Sequence, residues 1–264
     1  MIKVYNNGND FYNDNKDFLL TNPHTECFFR LDAPLLLETN KDEYAIQIKE
    51  KNNTLVCLKK NPYNLMFYGN QELASSLIKY LIDENYKITN YLCLYELGET
   101  IKDILNNNGY QVNLQMAMDF MIAKEKVDIE YCEVEVATIN DLDEIYQNMI
   151  NFYHDCHLND IVDKEKIIKF ISDYRIIRKN NEVISMARIS MDSANSKRIV
   201  AVYTKPKYRG LGYAKKVCAK ALNDIIDSNH VAVLNVDRSN PISNHIYSSI
   251  GFKKLFSQAN YEVI

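Results

Sequence analysis

The chain has 264 residues, which exceeds the usual size of a single hydrophobic core and favours two domains of about 130 residues each. Hydrophobic residues make up 47% of the sequence and charged residues 25%, so intrinsic disorder is not indicated. The net charge is −4, from 31 Lys and Arg against 35 Asp and Glu, and this excludes the positive surface of a general nucleic-acid binder.

The sequence carries no targeting or membrane signal. Its N-terminal stretch is polar and lacks the apolar core of a signal peptide, and no run approaches the roughly 20 apolar residues that span a membrane. The six cysteines form no CxxC pair, and most of them have apolar neighbours, as reduced and buried thiols do. We expect a cytoplasmic protein with no membrane contact and no nucleic-acid partner.

The first half predicts alternating strands and helices. Residues 44–60 predict a hairpin that turns at Asn52-Asn53, and a strand follows at 64–69. The remaining elements of this half are a helix over 71–85, a strand over 88–95 and a helix over 98–108 that closes on Gly109.

The second half repeats this order. Asn140 is expected to cap a helix over 141–155, and a hairpin over 174–190 is expected to turn at Asn180-Asn181. The other elements are strands over 134–137, 196–204 and 230–236, helices over 163–173, 212–228 and 241–250, and two short final strands over 252–257 and 260–264.

Two pairs of features suggest that the halves arose by tandem duplication. The interval between Gly109-Tyr110 and Gly251-Phe252 equals the interval between Leu92–Leu94 and Leu234–Val236. A charged stretch near 124–128 lacks periodic apolar residues, as linkers do. The sequence therefore predicts one domain over 1–126 and a second over 127–264.

The segment over 198–222 combines a β-branched strand, a glycine-rich turn and an amphipathic helix. Small residues let a backbone approach phosphates, and the N–H groups at a helix start point outward along the positive end of the helix dipole. The chain has only seven glycines, and Gly210 and Gly212 lie in this one turn. The pattern predicts a pyrophosphate site, although an isolated GxG also occurs in tight connections that bind nothing.

The complete pattern resembles the GNAT superfamily of acyl-CoA N-acyltransferases. The turn Arg209-Gly210-Leu211-Gly212-Tyr213-Ala214 matches that family's motif A, Gln/Arg-x-x-Gly-x-Gly/Ala. Downstream, Asn240, Tyr247 and Gly251-Phe252 resemble its motif B, and residues 131–148 resemble its opening strand and helix. The resemblance implies an α/β (α+β) fold with two tandem GNAT-like domains, each a mixed, mostly antiparallel twisted sheet flanked by helices.

The resemblance also implies acetyl-CoA as co-substrate and assigns roles to residues. Tyr247 would protonate the departing thiolate, because a phenol can give a proton to a thiolate in a desolvated site. The expected acetyl-CoA contacts are the backbone of Val202, Tyr203 and Thr204 for the pantetheine arm, the loop residues Arg209, Gly210, Leu211, Gly212, Tyr213, Ala214 and Lys215 for the pyrophosphate, and Asn240 with Ser243 in motif B.

One position departs from the family. Many members carry a glutamate five residues before the motif-B asparagine as a general base, and here that position is Asn235, which takes no proton at neutral pH. Asp237 leaves the same face of the strand and is the candidate base, although a solvated aspartate at a strand end is the commoner finding. A substrate amine of low pKa would need no dedicated base.

The pair His154 and His157 lacks further ligands at zinc spacing, so no metal site is predicted, and Phe152, Tyr153 and His157 are candidates for shaping substrate choice. In the first half, the matching junction has one glycine, no arginine and an acidic Glu72, which would repel a pyrophosphate. The first half is thus expected to be a degenerate copy that covers the acceptor side or forms a homodimer surface.

Three functions remain open from the sequence. The first is an N-acetyltransferase that acts on a small-molecule or peptide amine by direct attack in a ternary complex. The second is a non-catalytic acyl-CoA-binding module, suggested by Asn235. The third is a Fem-type aminoacyl-tRNA-dependent transferase, which the intact loop and the acidic net charge disfavour.

Overall fold

The computed structural model describes residues 1–156, 158, 161–193 and 195–264. The strands are β1 (Ile2–Val4), β2 (Tyr44–Glu50), β3 (Asn53–Lys59), β4 (Leu65–Gly69), β5 (Tyr91–Leu94), β6 (Val112–Ala123), β7 (Val134–Val136), β8 (Tyr174–Lys179), β9 (Glu182–Ser193), β10 (Ser196–Thr204), β11 (Val231–Asp237) and β12 (Lys253–Val263). The α-helices are α1 (Gly8–Leu19), α2 (Pro23–Asp32), α3 (Ala74–Asp83), α4 (Tyr95–Asn107), α5 (Leu142–Asp155), α6 (Lys164–Lys169), α7 (Tyr213–Asp227) and α8 (Pro241–Ser249).

The chain forms two compact units. Unit 1 comprises Met1–Asp119 and Phe256–Ile264, and unit 2 comprises Phe120–Leu255. The end of the chain therefore belongs to unit 1, where β12 pairs antiparallel with β5. The two domains expected over 1–126 and 127–264 stay a prediction. The units differ from them in that residues 256–264, from the end of the chain, lie in unit 1. No helix in the described residues is both long and apolar enough to cross a membrane.

Within unit 1 the strand order is β1-β2-β3-β4-β5-β12. The pairs β1/β2, β2/β3 and β3/β4 are antiparallel, and β4/β5 is parallel. Helices α3 and α4 cover one face around Leu77 and Ile101, and α1 and α2 cover the other around Phe11 and Phe29. Because both faces are covered, successive residues of β2 and β3 are buried instead of alternating.

Unit 2 repeats this arrangement with the order β7-β8-β9-β10-β11. The pairs β7/β8, β8/β9 and β9/β10 are antiparallel, and β10/β11 is parallel. Helix α7 packs on one face through Val217 and Leu222, and α5 and α6 cover the other through Ile145 and Ile167. The mixed, mostly antiparallel α/β fold class is confirmed, whereas tandem duplication stays a prediction.

Several local expectations were wrong. The helical turn before α5 is capped by Thr138 and not Asn140, since the Thr138 N–H donates to Asp141 Oδ2 at 2.8 Å. The first hairpin turns at Lys51 and Asn52, where Lys51 is left-handed at φ 53°. The two short final strands are one continuous strand, β12. Helices α1 and α2 were not foreseen, because their polar residues obscure the apolar period.

Candidate active site

The turn between β10 and α7 has a backbone that requires glycine. Gly210 has a φ of +76° and Gly212 a φ of +81°, values that residues with a Cβ rarely adopt. A Cβ built on either glycine meets no atom within 4 Å, so these glycines serve the backbone shape and not internal packing. The turn therefore presents a bare backbone to open space.

The start of α7 leaves several N–H groups without an internal acceptor. Gly212 occupies the cap position and offers no side chain, and the ladder begins with Lys216 N donating to Gly212 O at 3.2 Å. The N–H groups of Tyr213, Ala214 and Lys215 precede that bond. The first turn holds no acidic residue, so the positive end of the helix dipole is uncompensated. This is the arrangement that binds an anion.

The cations around this turn differ in availability. Arg209 Nη2 lies 2.5 Å from Asp155 Oδ2, and Arg209 Nε donates to Thr204 O at 2.9 Å. Lys216 is paired with Glu133. Lys215 makes no ion pair within the described part of the chain and is half-buried. Lys215 is therefore the cation beside the helix start whose charge is free, while Arg209 is shared with a carboxylate of α5.

The strands before and after this turn separate. β10 pairs with β11 from Ser196 to Arg198, and no further pairing joins them in the described residues, although β10 runs on to Thr204. Ala201 has a φ of +52° and lies in a bulge, where the register of β10 against β9 shifts between Val200 and Tyr203. Backbone groups of β10 on the β11 side are thus unpaired. Sequence patterns missed Ala201, because alanine carries no signal for a left-handed backbone.

The predicted pantetheine contacts lie on this separated part of β10. Thr204 Oγ1 and Ser185 Oγ are 2.8 Å apart, and Ser185 also donates to Tyr203 O at 3.3 Å, so β9 holds the strand from the opposite side. Burial, and next the carboxylate of Asp155, raise the pKa of Tyr203. Val202 is half-buried on the same stretch. These contacts hold the strand end in place and leave its β11 side open.

Motif B begins at α8. Asn240 is the N-cap of this helix and accepts from Ser243 N at 3.0 Å through its Oδ1. That bond uses one polar atom of an exposed side chain, so its amide Nδ2 stays available. Tyr247 follows two helical turns later and is 8% exposed. Asn240 and Tyr247 therefore lie along one side of α8.

Tyr247 has the environment of a protonated phenol. Its ring packs against Phe252 with the ring centres 6.2 Å apart. Burial raises its pKa well above the usual value, and the thiols of Cys218 and Cys156 raise it further. Its hydroxyl has no hydrogen-bond partner in the described part of the chain, which leaves that proton free for a ligand atom.

The end of β11 carries Asn235, which stands at the family's general-base position, and Asp237, the candidate general base. The Oδ1 of Asn235 is buried without a hydrogen-bond partner in the described residues. Asp237 is exposed, and its Oδ1 accepts from Ser239 N at 2.8 Å and Ser239 Oγ at 2.7 Å. These bonds are those of a strand-end turn. Asp237 as base stays a prediction.

Cys156, at the end of α5, was missed by the sequence reasoning. Burial raises the pKa of its thiol, and the carboxylates of Asp155 and Asp237 raise it further. The thiol of Cys156 in turn raises the pKa of Tyr247 in motif B. A lone cysteine at a helix end gives no sequence signal for this position.

Phe152 and Tyr153 pack beside the core under α5, and His157 lies outside the described residues.

The matching junction in unit 1 is less suited to an anion than the turn before α7 is. Asn70 caps the helical turn with its own side chain, accepting from Glu72 N at 2.8 Å, and Glu72 adds a negative charge there. A Cβ on Gly69 would lie 2.2 Å from Thr54 O. Where β4 and β5 separate, Phe28 and Phe29 of α2 leave a cavity of about 10 Å³, room for one water.

Comparison with known proteins identifies the fold that carries this geometry. The separated strands, the glycine turn and the bare helix start define an acyltransferase domain. Residues 139–252 match the family model described as the acetyltransferase (GNAT) family, and this part of the chain belongs to that family. No curated protein matches the sequence.

Solved structures resemble the chain at low sequence identity. A GNAT-family acetyltransferase from Colwellia psychrerythraea is 12% identical with a TM-score of 0.62, covering 100% of this chain and 98% of its own. A GCN5-related N-acetyltransferase from Sphaerobacter thermophilus is 12% identical with a TM-score of 0.56, covering 84% of this chain and 81% of its own. These similarities establish GNAT-like folds across the chain and nothing about substrates.

Proposed function

We propose that unit 2 transfers an acetyl group from acetyl-CoA to a primary amine of a small molecule or peptide, by direct attack in a ternary complex. The observation that carries this proposal is the helix start of α7, whose free N–H groups follow two left-handed glycines with no acidic residue. Such a site binds a pyrophosphate. The GNAT match over residues 139–252 supports acyl transfer as the reaction.

The residues present suit acetyl-CoA as co-substrate. N–H groups from Gly210 to Lys215 and the free Lys215 ammonium would bind the pyrophosphate, and Arg209 would add its charge on leaving Asp155. The unpaired backbone of β10 beyond Ala201 would bind the amide groups of the pantetheine arm. Asn240 Nδ2 would donate near the mercaptoethylamine end. Bound acetyl-CoA supplies the acetyl thioester.

Tyr247 would act when the carbon–sulfur bond breaks. The amine nitrogen attacks the thioester carbonyl carbon, the new C–N bond forms, and the sulfur leaves with the electron pair of the C–S bond. Tyr247 would give its phenolic proton to that sulfur. Burial raises the pKa of the phenol and keeps it protonated, and the same desolvation would raise the pKa of the thiol and so favour its protonation.

The attacking amine must also lose a proton. Asp237 would take it through water with its exposed carboxylate, and an amine of low pKa would need only water. Asn235 supports the second candidate function, a non-catalytic acyl-CoA-binding module, because its amide replaces a base. Both candidates require acetyl-CoA to bind in unit 2, and they differ in turnover.

Release of CoA in the presence of a panel of small amines and peptide amines tests the proposal. We expect CoA release that depends on the amine and an acetylated product seen by mass spectrometry. Tight acetyl-CoA binding without turnover on any amine would favour the binding module. Absence of acetyl-CoA binding by calorimetry would overturn both. Unit 1, whose matching helix start is capped by Asn70 and carries Glu72, is proposed to bind no CoA.

A further inference from the structure

The β8–β9 hairpin brings one carboxylate to the segment before the glycine turn. Asn180 and Asn181 form its two-residue turn, both left-handed at φ 50° and 62°, as in a type I′ hairpin. This turn sets Lys179 opposite Glu182, the first residue of β9. The turn thereby fixes Glu182 at the tip of the hairpin.

Glu182 bonds to three of four consecutive residues. Its Oε1 lies 2.9 Å from Lys205 Nζ, its Oε2 lies 2.9 Å from Lys207 Nζ, and Tyr208 OH donates to Oε2 at 3.2 Å. Lys205 is also held by Glu144 of α5 at 2.8 Å. The hydrogen bonds from Lys205, and then from Lys207, lower the pKa of Glu182 to about 2, so it is ionised at neutral pH.

The same hairpin tip also touches the far side of the glycine turn. Lys179 Nζ lies 4.9 Å above the ring of Tyr213, the first residue of α7. The Tyr213 ring in turn meets the ring of Tyr208 edge to face, with 6.4 Å between centres. The two ends of the turn are thus tied to one hairpin, while Gly210 and Gly212 between them have the freest backbone of any residue type.

We propose that Glu182 is a positioning residue for the anion-binding turn of unit 2: by holding Lys205, Lys207 and Tyr208 it fixes the direction of the N–H groups that follow. The inference rests on the proposed function, because the ligand it serves is the pyrophosphate of CoA. Glu182 itself would not contact the pyrophosphate. Its effect passes through the backbone of residues 205–209.

When the Glu182 carboxylate is neutralised, the electrostatic effect and the positioning effect predict opposite changes in the affinity for CoA. Glu182→Gln removes one negative charge near the anion site and frees Lys207, while Lys205 keeps its ion pair with Glu144, so charge alone predicts tighter binding of CoA. Loss of positioning predicts weaker binding, because CoA must then order the turn itself. The sign of the change therefore separates a positioning residue from a merely charged neighbour.

Calorimetric titration of the full chain with CoA measures that sign. We expect Glu182→Gln to raise the Kd about three- to tenfold, given two lost ion pairs and a less ordered loop. Glu43→Gln is the matched control, since it removes the same charge from a glutamate of unit 1 that is ion-paired with Lys60 at 2.9 Å. The control should keep the wild-type Kd within about twofold.

Hydrogen exchange by mass spectrometry gives a readout independent of CoA. We expect faster exchange in Glu182→Gln confined to peptides over 205–215, with other peptides of unit 2 unchanged. An unchanged or lower Kd in the variant would overturn the inference, as would faster exchange spread throughout unit 2. If the wild-type chain itself binds no CoA, the proposed function fails, and the exchange rates still decide whether Glu182 holds the turn.

Discussion

Replacing Tyr247 by phenylalanine separates the binding of acetyl-CoA from its chemistry. The ring packs against Phe252 in a buried cluster, and the hydroxyl has no partner in the described residues. Removing the hydroxyl therefore leaves no buried donor or acceptor unpaired, and the stability at pH 7 should change by less than about 1 kcal/mol. Loss of a general acid should lower the turnover number about 10²–10⁴-fold.

The burial of Tyr247 also predicts a dependence on pH. Its pKa is raised in the folded state, so the stability it contributes is present below the unfolded value of about 10 and is lost as the pH rises above that value. At pH 11 the unfolded phenol is mostly ionised, which costs the wild type about 1.4 kcal/mol relative to pH 7. Tyr247→Phe escapes this cost.

Steady-state kinetics and urea unfolding at pH 7 and pH 11 measure both effects. We expect the KM for acetyl-CoA to stay nearly constant while turnover falls, and the stability difference between the two proteins to shift by about 1.4 kcal/mol in favour of the variant at pH 11. Tyr146→Phe is the control, a half-buried tyrosine on α5 beside Lys164, and should keep its turnover. A variant at position 247 that retains more than about half the wild-type turnover would show that Tyr247 is a packing residue.

Three further predictions concern CoA binding. Gly212→Glu should abolish CoA binding by placing a negative charge at the helix start. Gly109→Glu is the control, with a similar φ of +88° and equally open space, and should bind CoA normally. Equal CoA affinities of the two variants would place the cofactor elsewhere. Calorimetry should give one CoA per chain, because the matching helix start in unit 1 is capped by Asn70 and carries Glu72, and two sites would contradict this reasoning. Asp155→Asn should free Arg209 and lower the Kd for CoA about two- to fivefold at low salt, and an unchanged Kd would mean that Arg209 does not reach the cofactor.

Part of the fold could be predicted because local signals agreed with it. The turn at Asn180-Asn181 and the helix start after Gly212 each follow from one or two residues. The continuous strand β12 and its pairing with β5 could not be predicted, because sheet partners distant in sequence leave no local pattern. Helices α1 and α2 were not predicted for a different reason, because their many polar residues obscure the apolar period of a helix.

The sequence by itself determined the chemistry offered by the turn after β10, since the left-handed backbone at Gly210 and Gly212 depends only on the missing Cβ. Tertiary structure alone decided which charges reach that turn. Arg209 meets Asp155 and Glu182 meets Lys205 because helix α5 and the β8–β9 hairpin fold onto the same edge of unit 2. Distances between charges are set by packing, and no spacing along the chain encodes them.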